Sequence, residues 1–282
     1  MNKYVVLAIL SCCIFLMSCS GNKTDDKQQP KSKQLTEWEF VKIISLDSIS
    51  PIGIVAQNNF LWLSDVANSQ IVKVNLDGKY INSIKGFQRP MHLDIYKNKI
   101  YVPEYTSDII KIWDNGNKTT LSIKEKPDGI GGVSVNGKTI AIADFYNNRI
   151  ILKQEDKTTI IGKEGHNDGE LYYPTDVQIA NNLIYVADAY NNRVQVFDRE
   201  GNYKQIIGWN ENIKVATGLK VTENQVFIAD FEGNRVLIYN LYGKLLQILN
   251  SNFKQPTDIE IVDNTMYVVN FKGKSISIFE NK

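Results

Sequence analysis

A unit of about forty residues repeats along most of this chain and constrains its fold more than any other feature. In the clearest copy, residues 174–208, short bursts of β-branched and aromatic residues alternate with turns rich in Asn, Asp and Gly. One burst recurs six times and ends in an acid or amide at positions 65, 104, 144, 188, 230 and 270. Four short strands in roughly forty residues, repeated in register, are typical of a β-propeller blade. The pattern predicts an all-β, six-bladed β-propeller with four-stranded antiparallel blades.

The two ends of the repeat region predict how the ring closes. The sixth copy reaches residue 282 after only three strands, while residues 38–46 (WEFVKIISL) form a strand that no copy claims. Placed as the outer strand of the last blade, this N-terminal strand leaves no sheet edge unpaired at the seam. We therefore assign residues 35–282 to the propeller.

The first 34 residues are of a different kind. A short charged start and an apolar stretch, too short for a comfortable membrane span, lead to Leu16-Met17-Ser18-Cys19. This end resembles a bacterial lipobox, which implies that residues 1–18 are a lipoprotein signal peptide and that Cys19 is lipidated. Residues 21–34 contain no aliphatic or aromatic side chain, so residues 19–34 are expected to be a flexible tether. An ordinary secretory signal or an N-terminal anchor helix is the alternative.

The repeat itself resembles the NHL repeat of six-bladed propellers. The resemblance rests on PTDVQIANNLIYVADAYNNRVQVFDREGNYKQIIG at 174–208, IAIADFYNNRI at 140–150 and VFIADFEGNRVLIY at 226–239. Together with the lipobox, it is similar to the lipid-anchored six-bladed propellers of Bacteroides-type bacteria. The resemblance implies a location in the bacterial cell envelope, with the lipid in the outer membrane and the propeller on its periplasmic or surface side.

Composition removes several classes of function. The chain has 32 Lys and Arg against 31 Asp and Glu, a net charge of +1, which argues against a nucleic-acid partner because phosphates call for a basic face. Its three Cys all precede residue 20 and it has two His, which excludes a disulfide scaffold and a multi-Cys zinc site in the propeller.

One ring of positions near the start of each innermost strand carries the candidate chemistry. Its polar members are His92, Asp176 and Asp258, and Gly occupies the same position in the other three blades. If these three side chains point to the axis, they could bind Ca²⁺ or another divalent cation, or act as acid and base. In the alternative, each Asp only hydrogen-bonds local backbone. No firm metal, cofactor or catalytic residue follows from the sequence.

A second set consists of aromatic residues that follow the acidic strand ends. At a channel mouth such rings could stack on a ligand, or they could simply pack between blades. The candidate ligand-binding residues are Tyr105, Phe145, Tyr190, Phe231 and Phe271. The acids themselves, three of which precede an Arg by five residues, are expected to be structural.

These observations favour a binding module over an enzyme. We expect a lipid-anchored propeller that presents its channel face to a peptide, glycan or protein partner. The alternative is a metal-dependent hydrolase or lyase at the mouth of the central channel, centred on His92, Asp176 and Asp258.

Overall fold

The computed structural model describes residues 37–282, which form six four-stranded antiparallel sheets. The signal peptide, the tether and Cys19 lie outside the described residues. The strands of the first three blades follow β1 (Trp38–Ser45) and are β2 (Pro51–Gln57), β3 (Phe60–Asp65), β4 (Gln70–Asn75), β5 (Tyr80–Lys85), β6 (Asp94–Tyr96), β7 (Lys99–Glu104), β8 (Ile109–Asp114), β9 (Asn117–Thr120), β10 (Ile130–Asn136), β11 (Thr139–Asp144), β12 (Arg149–Gln154) and β13 (Lys157–Ile161).

Blades four to six continue the same pattern. A short 3₁₀ turn, Ala189–Asn191, is inserted in the fourth blade. Their strands are β14 (Pro174–Ala180), β15 (Leu183–Asp188), β16 (Arg193–Phe197), β17 (Tyr203–Ile207), β18 (Ala216–Val221), β19 (Gln225–Asp230), β20 (Arg235–Asn240), β21 (Leu245–Leu249), β22 (Pro256–Val262), β23 (Thr265–Asn270) and β24 (Ser275–Asn281). Within these residues, no helix has the length and apolar character needed to span a membrane.

The closure predicted from the sequence is confirmed. The last sheet has the order β1-β24-β23-β22, so the strand that begins the propeller is the outer strand of its last blade. Trp38 is buried between blades five and six, where its ring meets Phe227 edge-on at 5.6 Å. Gln247 of blade five exchanges two hydrogen bonds with the Trp38 backbone, at 3.0 and 2.9 Å. The closing strand is therefore fixed to two blades at once.

The hydrophobic core is divided into six clusters, each between neighbouring blades. Val186 of blade four, for example, packs with Leu152 of blade three, while Val194 packs with Leu219 of blade five. This follows from alternation along a strand, because successive side chains point to opposite faces of a sheet and every blade is covered on both faces. No blade can bury its apolar residues alone, so the ring is stable only as a whole.

The innermost strands approach one another very closely where they begin. A Cβ added to Gly218 would lie 2.1 Å from the carbonyl oxygen of Thr257, and one on Gly53 would lie 2.5 Å from that of Met91. Only glycine allows this spacing. The Gly residues that alternate with His92, Asp176 and Asp258 are therefore required by packing at the axis.

Candidate functional site

The structure brings the three polar members of the first ring together. His92, Asp176 and Asp258 come from blades two, four and six, and each is 4 to 6% exposed. Nδ1 of His92 lies 3.4 Å from Oδ2 of Asp258 and 4.0 Å from Oδ2 of Asp176. One potential ligand atom from each residue lies within 4.8 Å of the other two. One imidazole and two carboxylates thus meet at the axis of the propeller.

The two carboxylates also hydrogen-bond the backbone, as the alternative interpretation expected. Asp176 accepts the N–H of Val177 at 2.8 Å, and Asp258 accepts that of Ile259 at 2.8 Å. Each also accepts an N–H from the next blade, at Leu219 and Ile54 respectively. Both carboxylates therefore join neighbouring blades while facing His92.

Burial and mutual charge shift the ionisation of this cluster. Burial disfavours the charged imidazole, but the Asp176 and Asp258 carboxylates outweigh it and raise the pKa of His92 above its ordinary value. Burial also raises the pKa of Asp176, because the attraction of His92 compensates only in part and Asp258 adds repulsion. The protonation states of His92 and Asp176 therefore depend on each other.

A second polar ring, which the sequence reasoning missed, lies two residues further along the same strands. Its polar members are Asp94, Ser134, Gln178, Lys220 and Glu260. Strand periodicity could have predicted this ring. Side chains two residues apart on a strand lie on the same face, so each residue two positions after a member of the first ring also points to the axis.

The side chains of the second ring connect neighbouring blades and place charged groups in the channel. Asp94 accepts the N–H of Val135 in the next blade at 2.6 Å, and burial raises the pKa of Asp94 to about 6. Lys220 and Glu260 form an ion pair at 2.6 Å. Burial lowers the pKa of Lys220, but the Glu260 carboxylate outweighs it, so the pKa is raised overall. The channel thus carries more acidic than basic groups.

The two polar rings line a cavity inside the propeller. A cavity of about 180 Å³ is lined by residues of both rings, including Asp176 and Asp258. A second hollow, of about 430 Å³, lies on the lower face of the propeller, where the innermost strands end in turns such as the one at Asn58. Lys220 and Glu260 line both this hollow and the cavity. From the repeat pattern, we expected the candidate chemistry at the channel mouth on the upper face, where the innermost strands begin. In the structure the cluster is buried below that face, because the glycine contacts draw the strand starts together.

The acids that end the second strands bind their own loops. Asp188 is fully buried, accepts the N–H of Tyr172 at 2.7 Å and pairs with Nε of Arg193 at 2.8 Å. The same acid–Arg pair forms in blades three and five, at 2.7 Å in each. These contacts hold the loop that enters each blade against the sheet, which is a structural task.

Aromatic rings form a continuous patch on the upper face over blades two to four. We call it the aromatic patch, and it consists of Tyr105, Phe145, Tyr146, Tyr172, Tyr173 and Tyr190. Neighbouring ring centres lie 4.6 to 6.5 Å apart, mostly in tilted or edge-on geometry. Tyr146 is 49% exposed and Tyr190 is 56% exposed. The guanidinium of Arg89 lies 4.7 Å from the Tyr105 ring centre.

The patch contains only some of the predicted aromatic residues. Tyr105, Phe145 and Tyr190 belong to it, whereas Phe231 and Phe271 are half-buried on blades five and six and make no ring contact with it among the described residues. Tyr172 and Tyr173 end the long loop of residues 162–173, which the sequence reasoning treated as architecture. Their adjacency to the fourth blade's Pro174 is the signal that could have included them.

Fold and site together define a six-bladed β-propeller with a charged axial channel and an aromatic patch on one face. Residues 171–197 match the family model described as NHL repeat. The chain is therefore a six-bladed β-propeller in which one segment matches the NHL repeat. A segment of 43 residues, 15% of this chain, is 49% identical to Protein lin-41 of Caenorhabditis elegans, and the match spans 4% of that protein's length.

Solved structures agree on the fold. A catalytically inactive virginiamycin B lyase from Staphylococcus aureus, solved with quinupristin, has a TM-score of 0.65 at 17% identity, covering 87% of this chain and 88% of the lyase. A protein of unknown function from Bacteroides thetaiotaomicron has a TM-score of 0.68 at 13% identity, covering 88% of this chain and 76% of that chain. At these identities the likeness shows the fold alone.

Proposed function

We propose that this propeller is a lipid-anchored interaction module that binds a peptide or protein partner through the aromatic patch. The observation that carries the proposal is the continuity of the patch, in which six rings from three blades share one face. Scattered exposed apolar residues are ordinary, but here the exposed rings of Tyr146 and Tyr190 are joined by four half-buried rings into one surface, and a contiguous apolar surface marks an interaction site.

The composition of the patch favours a protein or peptide over a glycan. Tyr and Arg are the residue types enriched at the energetic centres of protein interfaces, and Arg89 already lies on the Tyr105 ring. The rings meet mostly edge-on, so their surface is corrugated and bears hydroxyl groups that can donate hydrogen bonds. Such a surface suits side chains and backbone of a peptide better than the flat face of a sugar.

Rigidity of the support strengthens the proposal. The loops that carry the patch are held by partly buried hydrogen bonds, such as the one from the Tyr173 N–H to the Asn148 side chain at 2.8 Å. A preorganised surface loses less conformational entropy when a partner binds. The N-terminal Cys19, as the expected lipid attachment site, would hold this surface at a membrane through the 19–34 tether.

The test is binding of the propeller, residues 35–282, to peptide and glycan arrays, followed by titration of the best peptide. We expect Tyr146→Ala and Tyr190→Ala, which remove exposed rings, to weaken binding about 30-fold or more while leaving the melting temperature unchanged. Tyr242→Ala removes a ring that is 89% exposed on a blade-five turn of the lower face, and is the matched control.

Two outcomes would contradict the proposal. If both patch variants bind the peptide as tightly as the wild type, the site lies elsewhere. If only glycans bind, and the patch variants abolish that binding, the surface is right and the class of partner is wrong.

A further inference from the structure

His92 presents a buried polar atom for which the described residues supply no hydrogen-bond partner. The residue is 4% exposed, and the Asp258 and Asp176 carboxylate oxygens lie 3.4 and 4.0 Å from its Nδ1 without forming a hydrogen bond. Leaving a buried polar group unpartnered costs about 1–3 kcal/mol, so a native protein seldom does so without a reason. A cation between the three groups would satisfy the nitrogen and both carboxylates together.

We propose that His92, Asp176 and Asp258 bind one divalent first-row transition-metal ion, of which Zn²⁺ and Mn²⁺ are the probes. This site is distinct from the aromatic patch and does not depend on the interaction proposed there. It uses one residue from each of blades two, four and six, so the ion would lie on the axis and join three blades that are not neighbours in the ring.

The donor set selects the class of metal. Imidazole nitrogen suits Zn²⁺ and other first-row ions, whereas Ca²⁺ and Mg²⁺ prefer sites made of oxygen alone. Ligand atoms on a single tetrahedral zinc lie roughly 3.4 Å apart. The 3.4 Å between His92 Nδ1 and Asp258 Oδ2 already has this value, whereas the 4.0 Å to Asp176 Oδ2 is 0.6 Å longer. All three atoms lie within 4.8 Å of one another, so side-chain shifts of about an ångström or less would bring them onto one ion.

Backbone N–H groups around Asp176 and Asp258 fix the orientation of the two carboxylates. Each of Asp176 and Asp258 accepts two backbone N–H groups, one local and one from the next blade. A carboxylate offers about four acceptor positions, so two remain on each for a cation. Such outer hydrogen bonds fix ligand orientation in known metal sites.

The cavity leaves room for water on the ion. Asp176 and Asp258 line the 180 Å³ cavity, which also receives the polar side chains of Gln178 and Glu260. Three protein ligands with one open position are the arrangement that metal ions in reactive sites adopt, whereas structural zinc sites have four protein ligands. The proposed site therefore has an exchangeable position that faces a polar cavity.

Isothermal titration with Zn²⁺ and with Mn²⁺ tests the proposal. The protein is the full chain in detergent, without a histidine tag and with Cys12, Cys13 and Cys19 replaced by Ser, because thiolates bind the same metals. We expect one ion per chain, a melting temperature raised by about 5 °C or more at saturation, and weaker binding of Ca²⁺ and Mg²⁺. His92→Ala should weaken Zn²⁺ binding at least about 100-fold, because a direct ligand contributes more than an outer partner.

The two histidines of the chain provide a matched control. His166→Ala removes the exposed imidazole of the 162–173 loop and should leave the affinity unchanged. Because His92→Ala also removes the contacts of the imidazole with the Asp176 and Asp258 carboxylates, circular dichroism and thermal unfolding must first show that the variant is folded. His92→Gln provides a second variant of more similar volume.

Three results would overturn the proposal. These are the absence of saturable Zn²⁺ or Mn²⁺ binding in the wild type, equal affinity in folded His92→Ala, and loss of binding only in His166→Ala. The spectrum of bound Co²⁺ adds an independent readout, because one nitrogen and two carboxylate ligands are expected. A purely structural ion triad would show none of these metal signals.

Discussion

Trp38 is the residue through which the closing strand can be tested most sharply. It is 4% exposed, packs on Phe227 of blade five and belongs to the core between blades five and six. Its backbone exchanges two hydrogen bonds with Gln247, so its side chain and main chain both hold β1 against the ring. We expect Trp38→Ala to destabilise the entire propeller, because the last blade is completed only by this strand.

The magnitude follows from burial. Truncating a buried Trp to Ala costs about 3–5 kcal/mol, a large fraction of the 5–15 kcal/mol by which domains are typically stable. In a domain of this size, each kcal/mol corresponds to roughly 2–4 °C, so the melting temperature should fall by roughly 6 to 20 °C. Trp38→Phe should cost much less, since it keeps an aromatic ring at this position and removes an indole N–H that has no hydrogen-bond partner within residues 37–282.

Thermal and urea unfolding, followed by circular dichroism, measure these differences. The control is Ile43→Ala, which removes an apolar side chain that is 50% exposed on the same strand and should change stability by no more than about 0.5 kcal/mol. Deletion of residues 37–46 is the stronger perturbation and should abolish the single cooperative transition. An unchanged melting temperature in Trp38→Ala or in the deletion would refute closure by β1 as the source of stability.

Two further predictions concern other levels of the molecule. Arg193→Ala should lower the free energy of unfolding, measured in urea, by about 3–5 kcal/mol, because it leaves the buried Asp188 carboxylate without its cation. The control is Lys138→Ala, which removes one partner of an exposed ion pair with Glu155 and should cost no more than about 1 kcal/mol. Cys19→Ser should abolish incorporation of labelled fatty acid and release the protein from membranes in a bacterial host, whereas continued membrane association would favour an N-terminal anchor helix.

The fold was predictable because every blade repeats the same signals. Period-two alternation and turn residues mark the strands, and the acid at the end of each second strand gives the register of the copies. The missing fourth strand of the last copy indicated closure by residues 38–46, and β1 occupies that place. Repetition turns weak local signals into a strong one, because six copies must agree.

The candidate sites were less predictable, because they depend on depth and on contacts between blades. The triangle of His92, Asp176 and Asp258 follows from repeat register, which fixes which positions face the axis. The burial of these residues does not follow from repeat register. It results from backbone contacts at Gly53 and Gly218, where the first residues of neighbouring innermost strands lie very close to one another. The repeat pattern led us to expect the cluster at an open channel mouth, because a sequence does not show how closely the innermost strands approach one another.

On the innermost strands, the same side chains connect neighbouring blades and form the candidate metal site. Buried carboxylates are costly unless they are paired, so Asp176 and Asp258 persist at the axis only because each accepts two backbone N–H groups. Those same hydrogen bonds hold the carboxylates toward His92 at a spacing that no isolated blade could produce. A perturbation that loosens the ring should therefore weaken metal binding before it unfolds the protein. Trp38→Phe, with a small loss of stability in the last blade, which also carries Asp258, is the variant in which the two effects can be compared.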